Sequence, residues 1–157
     1  MPDADLLHEI SWSKKQFERL FGFCPRGFSC PGSVLPHSLD SALLQLGFEY
    51  RSDITETTQL PTGNKLHHVC VNVVGPETIP IIEHLYAIGI TSNEIVERVN
   101  SMFERISDSH NTPIIYLHPS VEAMLLRDVF VAVMQKLITN GWHFVPLKEL
   151  YDRSRTY

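Results

Sequence analysis

The sequence predicts an α/β fold with a mainly parallel sheet of about five strands and flanking helices. Two observations predict it. Short runs of β-branched and aromatic residues alternate with segments in which apolar residues recur every three or four positions. The short runs are apolar on both faces, as strands are when helices cover both sides of a parallel sheet. At 157 residues the chain suits one domain, and we expect residues 1–157 to form it.

Composition excludes several classes of function. The net charge is −5 and the pI is about 5.9. This acidic composition does not predict the basic surface that nucleic-acid binding needs. The apolar runs are shorter than the roughly 18–20 residues that a membrane span needs, and the acidic N-terminus is unlike a signal peptide. Cys24, Cys30 and Cys70 lack the spacing of zinc ligands. We interpret them as reduced thiols of a cytoplasmic protein.

Two helices and three short strands are predicted in the first half of the chain. Each helix ends at a glycine, which favours the left-handed conformation that commonly follows a helix. The strands have the β-branched or aromatic content of buried strands. The predicted elements are helices at 11–21 and 38–47, strands around Phe28, at 48–50 and at 67–74, and a surface loop at 52–66. His67 and His68 are adjacent on a strand, so they point to opposite faces and do not chelate one ion.

Four helices and two strands are predicted in the second half. The strongest local pattern is a capping box formed by Thr91 and Glu94, followed by apolar residues at helical spacing as far as Ile106. The predicted elements are helices at 78–87, 91–106, 125–139 and 147–151, and strands at 113–117 and 142–145.

The strand at 113–117 leads to a candidate catalytic residue. It ends at His118, and Pro119 then stops the strand because proline has no N–H for strand pairing. The functional groups of α/β folds lie at the C-terminal ends of strands, although a histidine there can also be structural. Glu122 follows closely. Its carboxylate either orients a substrate or His118, or favours the start of a helix.

Four segments follow one another along the chain: Gly22–Gly32, Leu46–Asp53, Pro113–Pro119 and Gly141–Leu150. In this order they resemble the C-terminal half of the polysaccharide deacetylase (NodB-homology) family. The motif His118-x-x-Val121-Glu122 is most similar to the branch that contains lipid-linked formamido-arabinose deformylases. The resemblance extends from about residue 13 to residue 151.

The resemblance implies a partial (β/α) barrel and hydrolysis of an N-acetyl or N-formyl group on an amino sugar or glycolipid. It also implies a divalent metal, zinc or similar, that activates the attacking water. His118 takes the position of the general acid that protonates the leaving amine. The substrate-binding residues that the resemblance implies are Phe28, Pro31, Gly32, Asp53 and Glu122.

The sequence departs from the family at the metal site. It contains no Asp-Asp pair and no His-x-x-x-His motif, so none of its residues is assigned as a metal ligand. Ser29 stands where the family's Phe-Arg-x-Pro motif has arginine. Three interpretations stay open: a truncated deacetylase, half of a split enzyme, or a non-catalytic relative that binds carbohydrate or lipid phosphate. We expect the chain alone to be inactive, and we expect a partner chain or a homodimer to cover the two edges of a half-barrel.

Overall fold

The computed structural model describes residues 3–30, 36–52 and 66–154. In this part of the chain, seven α-helices accompany a three-stranded parallel sheet, which confirms the mixed α/β class. No helix within these ranges is long and apolar enough to cross a membrane. Residue contacts divide the chain into two compact units, Met1–Cys70 with Val145–Tyr157, and Val71–Phe144. That the two units form a single domain stays a prediction.

The first unit contains the parallel sheet. Its strands are β1 (Gly27–Phe28), β2 (Tyr50–Arg51) and β3 (His67–His68), in the spatial order β1-β2-β3. Gly27 pairs with Tyr50, and Tyr50 pairs with His67. The three predicted strands of this half are therefore confirmed, but each is shorter than or shifted from its predicted range.

Three helices accompany this sheet: α1 (Asp3–Phe21), α2 (Leu39–Gln45) and α7 (Leu147–Ser154). Helix α1 begins well before the predicted start at residue 11, because Leu6, Leu7 and Ile10 extend its apolar face into the core. The fully buried members of this core are Ile10, Leu39, Ala42, Leu43, Phe48 and Leu66.

A buried group of charged and polar side chains lies where β2 and β3 end and α2 begins. Arg51 is the last residue of β2, and its Nη1 is 3.1 Å from Oδ1 of Asp40 in the first turn of α2. His68 is the last residue of β3, and its Nε2 is 3.5 Å from Oδ2 of Asp40. Only 3% of the Arg51 side chain and 7% of the Asp40 side chain are exposed. This contact joins the helix to the sheet inside the first unit.

Gly27 leaves room on β1 for the Tyr50 ring of β2. A Cβ atom at residue 27 would lie 2.3 Å from the ring carbons of Tyr50. The Tyr50 ring has little room to move, since it is buried and packs on Tyr151 with 5.1 Å between ring centroids. We expect Gly27→Ala to destabilise the protein by about 1–3 kcal/mol, measured by urea unfolding.

The matched control for this substitution removes the ring. In Gly27→Ala/Tyr50→Ala the clash is absent, so the double variant should lose less free energy of unfolding than the two single variants added together. An unchanged urea midpoint in Gly27→Ala would contradict the close packing described here.

The second unit is built from helices α3 (Ile81–Ala87), α4 (Ser92–Asp108), α5 (Pro119–Glu122) and α6 (Arg127–Thr139). A 3₁₀ helix at Pro76–Thr78 precedes α3, which therefore begins later than predicted. The predicted capping box is confirmed, because Thr91 Oγ1 accepts the Glu94 N–H and the Glu94 carboxylate accepts the Thr91 N–H. The least exposed side chains of the core are Val73, Ile82, Ile95, Val99, Val133 and Leu137.

Two predicted strands of this half are wrong. Residues 113–117 are half-buried and make a single parallel bridge, from Ile115 to Val73. Just before this bridge a side chain takes the place of a backbone acceptor, because Asn72 Oδ1 accepts the Ile114 N–H at 2.8 Å. The described residues 142–145 form no strand. Trp142 instead packs edge-on against the Phe103 ring, with 5.3 Å between centroids.

Candidate active site

His118 lies at the start of a short helix. It is the N-cap residue of α5, and its carbonyl oxygen accepts the backbone N–H groups of Val121 at 2.8 Å and Glu122 at 3.1 Å. Pro119 is the first helical residue, a position that suits proline because its missing N–H is not needed there. The proline therefore ends the extended segment, as predicted, and also begins a short helix that lies before the predicted helix at 125–139.

Both nitrogens of the His118 ring have hydrogen-bond partners. Nδ1 lies 2.9 Å from Oε2 of Glu83 on α3, and Nε2 lies 2.6 Å from the hydroxyl oxygen of Tyr116. The side chain of His118 is 45% exposed and that of Glu83 is 33% exposed, so solvent reaches the pair. The ring is thus oriented from two sides and remains accessible.

This arrangement selects one tautomer of neutral His118. A carboxylate only accepts hydrogen bonds, so Nδ1 carries the hydrogen that is donated to Glu83. Nε2 then has a free electron pair and accepts the Tyr116 O–H. When His118 is protonated, the additional proton is on Nε2, where a bound molecule can receive it after displacing Tyr116. The pair has the form of a proton-transfer residue oriented by a carboxylate.

Glu122 is a second carboxyl group near His118, and it is buried. It is 2% exposed, and neither carboxyl oxygen makes a hydrogen bond of normal geometry to the described residues. Burial raises the pKa of Glu122 above its ordinary value, and the nearby Glu83 carboxylate raises it further. The backbone N–H groups of Glu122 and His118 and the His118 ring oppose this rise. Desolvation is the largest cause, so the neutral acid is favoured.

The raised pKa of Glu122 makes stability depend on pH. Between the ordinary value of 4.5 and the higher folded value, the folded state holds a proton that the unfolded state has lost. The stability that the protonated Glu122 carboxyl group contributes is complete below its ordinary pKa and is lost as the pH rises through its pKa in the folded state. We expect Glu122→Gln, which stays neutral, to gain stability relative to the wild type as pH rises.

Urea unfolding between about pH 4.5 and 8 measures this difference. Glu97→Gln is the matched control, because Glu97 is exposed and pairs with Lys136 at 3.2 Å. Parallel stability curves for the wild type and Glu122→Gln would contradict the burial cost assigned to Glu122.

The structure places only part of the predicted site. His118 and Glu122 lie in the unit 71–144 and share one helical turn. Phe28 lies in the other unit, at the end of β1, where its half-buried ring packs edge-on against Phe48. Pro31, Gly32 and Asp53 lie outside the described residues. The expected cleft between His118 and the loop 28–32 therefore stays a prediction.

Sequence reasoning missed Glu83 and Tyr116 as site residues. Tyr116 had a usable signal, since residues two apart in an extended segment face the same way, and its ring lies 5.0 Å from that of His118. Glu83 had none, because it is 35 positions away on another element. Only the packing of α3 beside the turn at His118 brings it to the ring.

The described residues do not fit the divalent metal that the resemblance implies. In this part of the chain, no group of three or more His, Cys, Asp or Glu side chains is arranged to hold an ion. We therefore assign no metal ligand among these residues.

Known proteins do not identify the family of this chain. Neither a scan against protein-family models nor a search of curated proteins found a match. The function has to be inferred from the His118 site and from the motifs in the sequence.

Proposed function

We propose that this chain is part of a deacetylase-type hydrolase that removes an N-acetyl or N-formyl group from an amino sugar. His118 is the general acid and Glu83 orients it. The observation that carries the proposal is the 2.9 Å contact between Glu83 and Nδ1, which directs Nε2 away from the carboxylate. The order of the four sequence segments that resemble polysaccharide deacetylases supports the same reaction.

In this reaction His118 acts when the amide C–N bond breaks. The leaving nitrogen takes the proton from Nε2 and departs as a neutral amine, while Nδ1–H stays with Glu83. Glu83 accepts the Nδ1–H of the ring throughout this step, which keeps Nε2 as the nitrogen that gives up the proton. A positioned acid of this kind contributes roughly 10²–10⁴-fold to the rate.

The remaining parts of the site are expected to come from another segment or chain. An Asp-Asp motif and a His-x-x-x-His motif would supply the base and the metal ligands, and neither occurs in this sequence. The same segment would complete the proposed (β/α) barrel, and the parallel order β1-β2-β3 is compatible with such a barrel. We derive no step through the metal from the residues described here.

The experiment is a hydrolysis assay with and without complementation. The purified chain is mixed with an N-terminal half-barrel carrying both motifs from a polysaccharide deacetylase, in the presence of Zn²⁺, and release of acetate or formate from N-acyl amino sugars is measured. We expect no turnover by either part alone and turnover by the mixture. The absence of turnover from a mixture that forms a stable complex would contradict the proposal.

Binding without catalysis is the second candidate function. It is favoured by the Tyr116 hydroxyl, which occupies the proton-donating nitrogen of His118 at 2.6 Å. In this case an amino sugar or lipid phosphate would perturb the NMR signals of residues 116–122 without being hydrolysed. Replacing Tyr116 with phenylalanine separates the two functions, because it leaves Nε2 without the tyrosine hydroxyl. If His118 is a general acid and the hydroxyl only occupies Nε2 while no substrate is bound, Tyr116→Phe should keep turnover in the complementation assay.

A further inference from the structure

The first unit contains a cavity of about 550 Å³ that the proposed hydrolysis does not use. It lies where β1 and β2 begin. Its lining consists of residues 23–27 before and at the start of β1, Phe17 of α1, Tyr50 at the start of β2 and Lys148 in the first turn of α7. A cavity of this volume is in the range of small-molecule binding sites.

Two phenylalanine rings line the cavity. Gly22 follows α1 in the left-handed conformation, with a φ of 75°, and turns the chain so that Phe23 folds back onto the helix. The Phe23 ring meets the Phe17 ring edge-on, with 5.3 Å between centroids. Phe23 is still 60% exposed. Aromatic surface left open in a concave site favours a ligand with a ring that packs against it.

Tyr50 brings a buried hydroxyl group to the cavity. The residue is 9% exposed, and its hydroxyl makes no hydrogen bond to another described residue. The oxygen lies beside Gly27, which also lines the cavity, because it is 2.6 Å from the position that a Cβ atom of residue 27 would take. Burial raises the pKa of Tyr50 above its ordinary value, so the hydroxyl keeps its proton. An oxygen atom of a ligand would satisfy this donor.

Both charged residues that line the cavity are cations. Arg26 is balanced by two carboxylates, with Glu49 at 2.7 Å and Asp152 at 2.9 Å, and neither carboxylate belongs to the described lining. Lys148 is less engaged, because its Nζ is 4.0 Å from Asp152 and 61% of its side chain is exposed. An anionic group in the cavity therefore meets an ammonium group that can donate to it. A cationic ligand would meet only like charges on the lining.

We propose that this cavity binds a small aromatic carboxylic acid. The ring of the ligand packs against Phe17 and Phe23, and its carboxylate accepts a hydrogen bond from the Lys148 ammonium group. The Tyr50 hydroxyl donates to an oxygen of the ligand. Binding at this site is independent of the proposed hydrolysis and involves no covalent step.

The test is an NMR titration of the full chain labelled with ¹⁵N. Three compounds are added in turn: 3-phenylpropionate, its neutral amide 3-phenylpropionamide, and 3-cyclohexylpropionate. We expect 3-phenylpropionate to shift the amide signals of Phe23, Arg26, Gly27 and Lys148. The amide should bind about 2–5-fold more weakly, because it lacks the charge that pairs with an exposed lysine. The cyclohexyl acid should also bind more weakly, because a saturated ring cannot make edge-to-face aromatic contacts.

Two variants assign the contacts within the cavity. Lys148→Gln should remove the preference for the acid over the amide, and Lys15→Gln, at an exposed lysine of α1 outside the lining, should keep it. Tyr50→Phe should weaken binding by about 2–10-fold, the value of one hydrogen bond. It should not lower the urea midpoint, because the hydroxyl that it removes has no partner among the described residues. A purely structural role of Tyr50 would give the opposite pair of results.

Three results would overturn the inference. The first is that none of the three compounds shifts these four signals. The second is equal affinity for the acid and the amide, or for the phenyl and the cyclohexyl acid. The third is a dependence of the same signals on protein concentration in the absence of any compound, which would show that a second copy of the chain covers the cavity. The wild-type titration needs no variant, so a misfolded substitution does not remove the test.

Discussion

His118→Gln should lower amide hydrolysis by the complemented enzyme by about 10²–10⁴-fold. Glutamine keeps a polar side chain of similar reach but has no proton to give to the leaving amine. The loss should fall on kcat, because the proton is transferred as the C–N bond breaks and not when substrate binds. Acetate or formate release at saturating sugar measures it.

Two further variants give this result its meaning. Glu83→Gln keeps a hydrogen-bond partner for the ring but fixes the Nδ1–H less strictly, because an amide can also donate, so its loss in kcat should be smaller than that of His118→Gln. His143→Gln changes an exposed histidine of the same unit and should have no effect. Full activity of His118→Gln would exclude His118 as the general acid.

Asp40→Ala should destabilise the protein by about 3–5 kcal/mol, the typical cost of breaking a buried ion pair. Asp40 lies 3.1 Å from Arg51 and 3.5 Å from His68, and the Asp40 and Arg51 side chains are almost fully buried. Alanine takes away a carboxylate that pairs with the buried Arg51 inside the first unit. Urea or thermal unfolding at pH 7 measures the loss.

Asp152→Ala is the matched control for this substitution. Asp152 also pairs with an arginine, at 2.9 Å from Nη2 of Arg26, but 46% of its side chain is exposed. Solvent screens such a pair, so the loss should be below about 1 kcal/mol. Equal losses in Asp40→Ala and Asp152→Ala would show that burial does not decide the strength of these contacts.

Helices were predictable from this sequence because their signals are local. The capping box of Thr91 and Glu94 and the apolar spacing behind it define α4 without reference to any other element. Strands depend on a neighbouring strand. Residues 113–117 and 142–145 have the composition of strands. In the first segment the Asn72 side chain accepts the Ile114 N–H in place of a backbone carbonyl. In the second segment Trp142 packs against the Phe103 ring and the backbone does not pair.

The candidate site was predictable only at His118 and Glu122. Both lie on the segment whose composition and motif predicted a strand end with a catalytic histidine. The burial of Glu122 could not be predicted from its position near a helix start. Glu83 reaches His118 by tertiary packing, and a helical glutamate in a sequence looks the same whether it faces solvent or a ring. Sequence reasoning therefore found the proposed proton donor and not the carboxylate that contacts it.

The proposed function depends on Glu83 holding His118 with Nε2 available for proton transfer. The ¹⁵N chemical shifts of the neutral His118 ring test it directly, because protonated and unprotonated ring nitrogens resonate far apart. The structure predicts that Nδ1 carries the hydrogen in the wild type and that this preference weakens in Glu83→Gln. A wild-type ring with the hydrogen on Nε2 and none on Nδ1 would contradict the claim.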